Sequence, residues 1–370
     1  MKNKFIFINS LTSGGAEKVV TTLLNNNSDL KVITIWPDNF YNINKSEVIT
    51  LLKKRGFLVI DLITALIMFI KLLKRENISS INSHLFWANY INAVSKVFCK
   101  HRVIATHCVS FVSKFESNKM AYAFHKVMLK ILSRYIDVNT YKSLAMKDEY
   151  ERIFNLRNGI VIYNPIDIKY IQQRAKEEIN FEFKCDKKYA LCVGRFHKTK
   201  NQISLLKILT RLTKDIEIIF LGDGPELQTC INVATDLNIL DRVHFIGNVI
   251  NPYPFFLSSD YYISISKSEG FPNALIEAIV LGLYPIHSDC HCGPREIISK
   301  FTVHNPILTD SSNKYEVYDL GILTSLNEDS ILNAINYCHL YNPVIHNDEI
   351  VGLAEKLTPC SISNKYIELL

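Results

Sequence analysis

The sequence predicts an α/β chain of two doubly wound, parallel-sheet domains. Three observations carry this expectation. Short β-branched and aromatic runs alternate with helical stretches from end to end. The strand-like runs fall into two sets with a polar stretch between them. A chain of 370 residues, 48% hydrophobic and 21% charged, is long for one core and comfortable for two.

The first set of expected strands is residues 4–9, 32–36, 79–83, 102–106, 137–140 and 160–163. Asn164-Pro165-Ile166-Asp167 closes it with a turn. The second set is residues 189–193, 216–221, 243–246, 261–265 and 284–288. The resulting domains are 1–170 and 189–355, joined by a polar linker over 171–188. The remainder, 356–370, reads as a segment that crosses back to the first domain. Open α/β sheets bind ligands outside the carboxyl ends of their strands. Two such sheets facing each other place Gly14, Gly15, His107, Arg195 and Glu269 around one cleft.

Lys2 and Lys4 precede only Phe5-Ile6-Phe7-Ile8 before Asn9 intervenes, so the start reads as a strand and not as a secretion signal. Nine scattered cysteines read as reduced, cytosolic thiols. Residues 1–170 carry about +12 and the rest about −6, which sums to the net +6. A basic half beside an acidic half points to a polyanion facing one domain only. No nucleic-acid motif accompanies the charge, which favours a membrane surface. Residues 51–75 hold an apolar run, 57–70, with Lys53, Lys54, Arg55, Lys71, Lys74 and Arg75 at its ends. It is too short to span a bilayer. It reads either as a helix buried on the sheet or as one whose outer face dips into a membrane interface.

The chemistry concentrates in Ser268-Glu269-Gly270-Phe271-Pro272-Asn273-Ala274-Leu275-Ile276-Glu277. Glu269 falls in a loop after a strand, and Pro272 stands at a helix start that contains Glu277. Backbone N–H groups at a helix N-terminus favour an anion such as phosphate, here with a carboxylate on each side. On geometry alone, a strand–loop–helix unit with two solvated carboxylates fits equally well. Arg195 and Lys200 lie five apart in a loop after a strand, suited to a diphosphate or simply to solvent. His107 ends another strand. His287, Asp289, Cys290, His291 and Cys292 lack the spacing of a zinc site. No Gly-x-Gly-x-x-Gly follows the first strand, which argues against a dinucleotide enzyme.

Six stretches appear in a fixed order: Ser13-Gly14-Gly15-Ala16-Glu17-Lys18, Val193 to Asn201, Phe220 to Pro225, Val243 to Asn248, the glutamate segment, and Gly293-Pro294-Arg295-Glu296-Ile297. Together they resemble the retaining glycosyltransferases of family four, over essentially the whole chain. That resemblance implies the GT-B fold, two Rossmann-like domains facing a central cleft. It implies a nucleoside-diphosphate sugar as donor, UDP first, with Arg195 and Lys200 on the diphosphate and Glu277 on the ribose. Glu269 and His107 would contact the sugar, with no covalent nucleophile. Gly14, Gly15, Phe271, Pro272, Asn273, Ala274 and Leu275 would complete the donor site. The absence of any Asp-x-Asp fits metal independence and no cofactor. The implied acceptor is a hydroxyl of a lipid-linked saccharide in surface polysaccharide synthesis, such as O-antigen. The implied location is cytoplasmic, peripheral on the inner face of the cell membrane. A nucleotide-sugar epimerase or a catalytically silent scaffold of the same fold are the alternatives. The Glu269/Glu277 pair with the Gly14-Gly15 loop disfavours the first, and the same pair together with Arg195 and Lys200 disfavours the second.

Overall fold

A computed structural model describes the chain except residues 1–3, 13, 42, 44–46, 117, 158 and 310. Lys2 and Ser13 of the sequence reading therefore lie outside the described residues. The chain divides into two compact units, residues 1–165 with 357–370, and residues 166–356.

The first unit contains β1 (Lys4–Ile8), α1 (Gly15–Asn25), β2 (Leu30–Thr34), β3 (Val48–Thr50), α2 (Leu58–Arg75), β4 (Ser80–His84) and α3 (Phe86–Ser95). It continues with β5 (Arg102–His107), α4 (Phe111–Phe115), α5 (Lys119–Leu132), β6 (Val138–Tyr141), α6 (Leu144–Phe154) and β7 (Ile160–Val161). The strands pair in parallel in the order β3-β2-β1-β4-β5-β6-β7. The three-residue β3 was not expected from sequence; it is too short for a periodic signal.

Side-chain alternation along β1 divides the core. Phe5 and Phe7 enter one cluster with Ala65, Phe69, Leu72 and Leu73 of α2, and the Phe7 and Phe69 rings stack 4.4 Å apart. Ile6 and Ile8 enter the opposite cluster with Val19, Val20 and Leu23 of α1. The β3→β4, β4→β5 and β5→β6 connections all run the same way along the sheet. Right-handed crossovers therefore set α2, α3 and α5 on one face, and both α2 and α5 pack on α3.

The second unit contains α7 (Ile168–Arg174), β8 (Lys188–Val193), α8 (Gln202–Leu209), β9 (Ile216–Leu221), α9 (Leu227–Asp236), β10 (Val243–Gly247), α10 (Tyr253–Ser258) and β11 (Tyr261–Ser264). Then come α11 (Asn273–Val280), β12 (Pro285–Ser288), α12 (Pro294–Ile298), β13 (Tyr315–Tyr318), β14 (Gly321–Thr324), α13 (Glu328–Tyr341) and α14 (Asn347–Leu357). The sheet order is β10-β9-β8-β11-β12-β14-β13, with only β13 antiparallel. The first residues of the expected 171–188 linker are helical, as the end of α7. The β13–β14 hairpin was also unexpected, because polar residues interrupt its edge strand. The last helix, α15 (Pro359–Leu369), belongs to the first unit and sets Ile362 and Tyr366 in the α1-side cluster. The Tyr366 hydroxyl lies 2.5 Å from the ammonium of Lys142, whose pKa burial lowers to about 8.

A buried arginine ties the hairpin to the sheet. Arg295 is 1% exposed and donates to both carboxylate oxygens of Asp289, at 2.9 and 2.6 Å. Its third nitrogen reaches Glu316 at 2.7 Å and the Tyr318 hydroxyl at 2.9 Å. Asp289 also accepts from the backbone of Ile307 and Leu308. Arg295→Met should therefore leave buried carboxylate without a counter-charge and cost about 3–5 kcal/mol. Denaturant unfolding checks this; an unchanged midpoint would refute the role.

Candidate functional site

In a doubly wound sheet the ligand crevice opens where strand order reverses. In the second unit that point lies between β8 and β11. The Arg195–Lys200 loop leaves β8 there, and the Glu269 loop leaves β11. The sequence therefore delivers its two charged motifs to adjacent strand ends, and the backbone joins them: Lys267 N–H donates to Thr199 O at 2.7 Å. Gln202 is buried at the start of α8 and pins the β8 loop by donating to Arg195 O at 3.1 Å.

Lys200 and Glu269 form an ion pair, Nζ to Oε1 2.6 Å. Burial works against the ammonium, but the Glu269 carboxylate outweighs it and holds the Lys200 pKa above the usual lysine value. Burial equally opposes the carboxylate, yet Lys200, with help from His287 and Ser266, keeps Glu269 below the usual range. Arg195 is exposed, and no hydrogen bond or ion pair to its guanidinium is found among the described residues. It is an available cation in the loop that carries Lys200.

Glu277 projects from the second turn of α11 and is only 3% exposed. Phe271, Pro272 and Leu275 are buried, which fixes the helix start. The first-turn N–H groups from Asn273 onward have no intrahelical acceptor and suit an anion. Gly293 packs against this turn with φ +96°. A Cβ there would meet Pro272 Cδ at 2.7 Å and Gly270 O at 3.1 Å, so a side chain would force the two loops apart.

Gly14, Gly15 and His107 belong to the first unit. Gly14 caps α1 beyond β1, at the first sheet's own reversal point between β1 and β4. A Cβ on Gly14 would fall 2.1 Å from Glu17 Oε2, because the Glu17 side chain folds over it and accepts from Thr12 at 3.1 Å. Burial pushes the Glu17 pKa up. His107 ends β5, nearly buried, with Nε2 2.9 Å from Asn139 Oδ1 and its ring stacked on Tyr141. Burial lowers its pKa to about 4, so the ring is neutral near pH 7. It lines a small cavity with Leu85, Phe86, Asn89, Cys108 and Tyr150.

Sequence reasoning gave no role to Glu17, and weighed His287 only as a zinc ligand. Asp289 of that same cluster is committed to Arg295. Nothing in the local pattern marks Glu17 or His287; each is placed by strand pairing and loop folding.

Residues 173–335 match the glycosyl transferases group 1 family. Over 90% of this chain and 93% of the relative, the sequence is 26% identical to an N-acetylgalactosamine-N,N'-diacetylbacillosaminyl-diphospho-undecaprenol 4-alpha-N-acetylgalactosaminyltransferase of Campylobacter jejuni. A Salmonella typhimurium lipopolysaccharide 1,6-galactosyltransferase is 30% identical over 44% of this chain and 46% of its own. The fold is shared with Anabaena HepE, solved with UDP and glucose, at TM-score 0.77 and 17% identity over 99% of this chain and 98% of that one. The group 1 match within the second unit, the full-length relative and the two-sheet fold identify this chain as a glycosyltransferase of the GT-B type.

Proposed function

We propose that the protein moves a sugar from a UDP-sugar to a hydroxyl of a lipid-linked saccharide, with retention of anomeric configuration, in surface polysaccharide synthesis such as that of O-antigen. The observation that carries this reading is the Lys200–Glu269 pair at the sheet's reversal point, beside the start of α11. Lys200 and Arg195 would take the diphosphate, whose charge grows as the sugar departs. The α11 N-terminus adds its N–H groups. Glu277 would accept from the ribose hydroxyls, and Glu269 from the sugar hydroxyls. Neutral His107 would offer one hydrogen bond to the sugar without adding charge. The acceptor would attack from the face the leaving phosphate occupies, with no covalent intermediate. The C. jejuni relative, named for an undecaprenol-linked acceptor, and the UDP in HepE support this assignment.

Two fixed cations at the diphosphate would take the place of a metal. The test is UDP release from a donor panel with acceptor present and EDTA in the buffer. Activity should persist in EDTA, and an α-linked donor should give an α-linked product by anomeric NMR couplings. Loss of activity restored only by Mn²⁺ or Mg²⁺, or a β-linked product, would overturn the reading. UDP release without transfer, or none at all, would favour the epimerase or the silent scaffold.

The two glutamates should separate in their effects. Glu277→Ala should weaken UDP binding by about 1.5–3 kcal/mol, the worth of a charged hydrogen-bond partner. Glu269→Ala should mainly lower kcat. Titration calorimetry and initial rates read the two; Glu277→Ala binding UDP like the parent would remove the ribose assignment.

We further infer that the first unit works peripherally on the cytoplasmic face of a membrane. No helix among the described residues is long and apolar enough to cross one. α2 turns Ala65, Phe69 and Leu72 inward and leaves Ile60, Ile63, Ile67 and Met68 exposed. On the same sheet face α5 exposes Met120, Phe124, Val127 and Ile131, and Val97 and Phe98 are exposed just past α3. Exposed Lys53, Lys54, Lys71, Lys74, Lys119, Lys126 and Lys130 flank these rows. An apolar stripe bordered by cations fits an anionic bilayer interface. The full chain should float with vesicles containing anionic lipid and detach as salt rises. Ile60→Glu with Phe124→Glu should abolish flotation while leaving the fold intact, since both side chains are exposed. Equal binding to neutral vesicles, or none, would sink this part of the reading.

A further inference from the structure

One strand from the end of β11, whose loop carries Glu269, lies a histidine with an unused nitrogen. His287 sits in β12, fully buried, level with Ser264 of β11 and Leu323 of β14. Its Nδ1 lies 2.8 Å from Ser288 O. A carbonyl only accepts, so Nδ1 carries the hydrogen and Nε2 of the neutral ring is a bare acceptor. That Nε2 is buried without any hydrogen-bond partner. Buried polar atoms are rarely left so.

The surroundings show which charge this nitrogen answers to. Of the neighbouring side chains, Glu269 is the strongest charge acting on the ring, and Lys200 and Asp289 also act on it. Asp289 is neutralised by Arg295. From β11, Tyr262 stays protonated, its pKa raised by burial, and it feels both Glu269 and Glu277. Cys290 is likewise held as a thiol by burial. β14 sets uncharged Leu323 level with the ring and Thr324 level with Ser288. The balance therefore rests on Glu269 and Lys200.

We propose that His287 is a positioning residue for Glu269: when a nucleoside diphosphate draws Lys200 away, Nε2 takes a proton from water and the imidazolium replaces the lost counter-charge. This rests on the assignment of Lys200 to the diphosphate in the proposed function. With Lys200 against Glu269, burial keeps the ring neutral and the ammonium reinforces it, while Glu269 and the Ser288 carbonyl oppose. Moving Lys200 removes a repelling cation and leaves a buried carboxylate unpaired, an expensive state unless another charge arrives. A proton on Nε2 supplies that charge, so that Glu269 stays anionic. Release of UDP returns Lys200 to Glu269 and expels the proton.

The test is calorimetric titration of the full chain with UDP near pH 7, in buffers of different ionisation enthalpy. The parent should take up a fraction of a proton per UDP, diminishing as pH rises. In His287→Gln, of similar size but unable to titrate, the uptake beyond that of UDP itself should vanish. Protonation of UDP itself is common to both proteins and cancels in the difference. Equal uptake by parent and variant would show that Glu269 or another group takes the proton, and would overturn the proposal. If His287→Gln fails to fold, ¹⁵N-histidine NMR of the parent decides: on adding UDP, Nε2 should move from the bare, pyridine-like shift to the protonated one. An unchanged shift with UDP bound overturns this inference alone; failure to bind UDP overturns the donor reading with it.

Discussion

The second unit's candidate site depends on two loops being held within salt-bridge range of each other. The Lys200–Glu269 contact joins the strand-end loops of β8 and β11 across the sheet's reversal point. Each participant is buried enough to object to its charge, and each is stabilised by the other. Everything around them serves that approach. The Lys267–Thr199 backbone bond sets the spacing, and Ser288 Oγ donates to Ser266 O to anchor the β11 end. Gly293 lets the β12 loop lie against the turn before α11. Arg295 then fastens that loop to the hairpin edge. A pair of opposite charges in a half-dry site is a poor source of net stability, since desolvation takes back much of the attraction. In the proposed function its value is readiness, because an incoming diphosphate would find the cation held at the site.

Much of this could be read from the amino acids. Eleven expected strands all exist, with ends displaced by a few residues, because parallel strands buried on both faces give dense apolar runs. The elements that escaped are those without such runs: three-residue β3, and the β13–β14 hairpin, whose outer strand is half exposed. The glutamate segment was visible because a proline marks the helix start and the residue spacing is local. That Lys200 would meet Glu269, rather than wait for a ligand, was not visible. It follows from the adjacency of β8 and β11, which are separated in sequence by β9, β10 and three helices. His287 was hidden for the same reason, since a lone histidine in a strand gives no sign of what the neighbouring strand sets above it.

In the first unit, sequence left two readings of residues 57–70 open, and the structure packs the helix on the sheet by one row only. One row of α2 fills the core, with Asp61 accepting from the indole of Trp36 and the backbone of Gly56 to brace the helix start. The other row stays outside and remains apolar. Solvent-facing helix positions ordinarily go to polar residues. Ile63 and Ile67 depart from that habit, since both are about half exposed.

The return of α15 to the first unit has a consequence in time. That unit's α1-side core needs Ile362 and Tyr366, and buried Lys142 needs the Tyr366 hydroxyl. A ribosome releases the first unit's sheet long before it releases those residues. Throughout synthesis of the entire second unit, the nascent first unit carries an open seam along α1 and an uncapped lysine. The second unit, continuous from Ile166 to Lys356, has no such wait. Of the two units, the one begun first thus closes only after the other has been made.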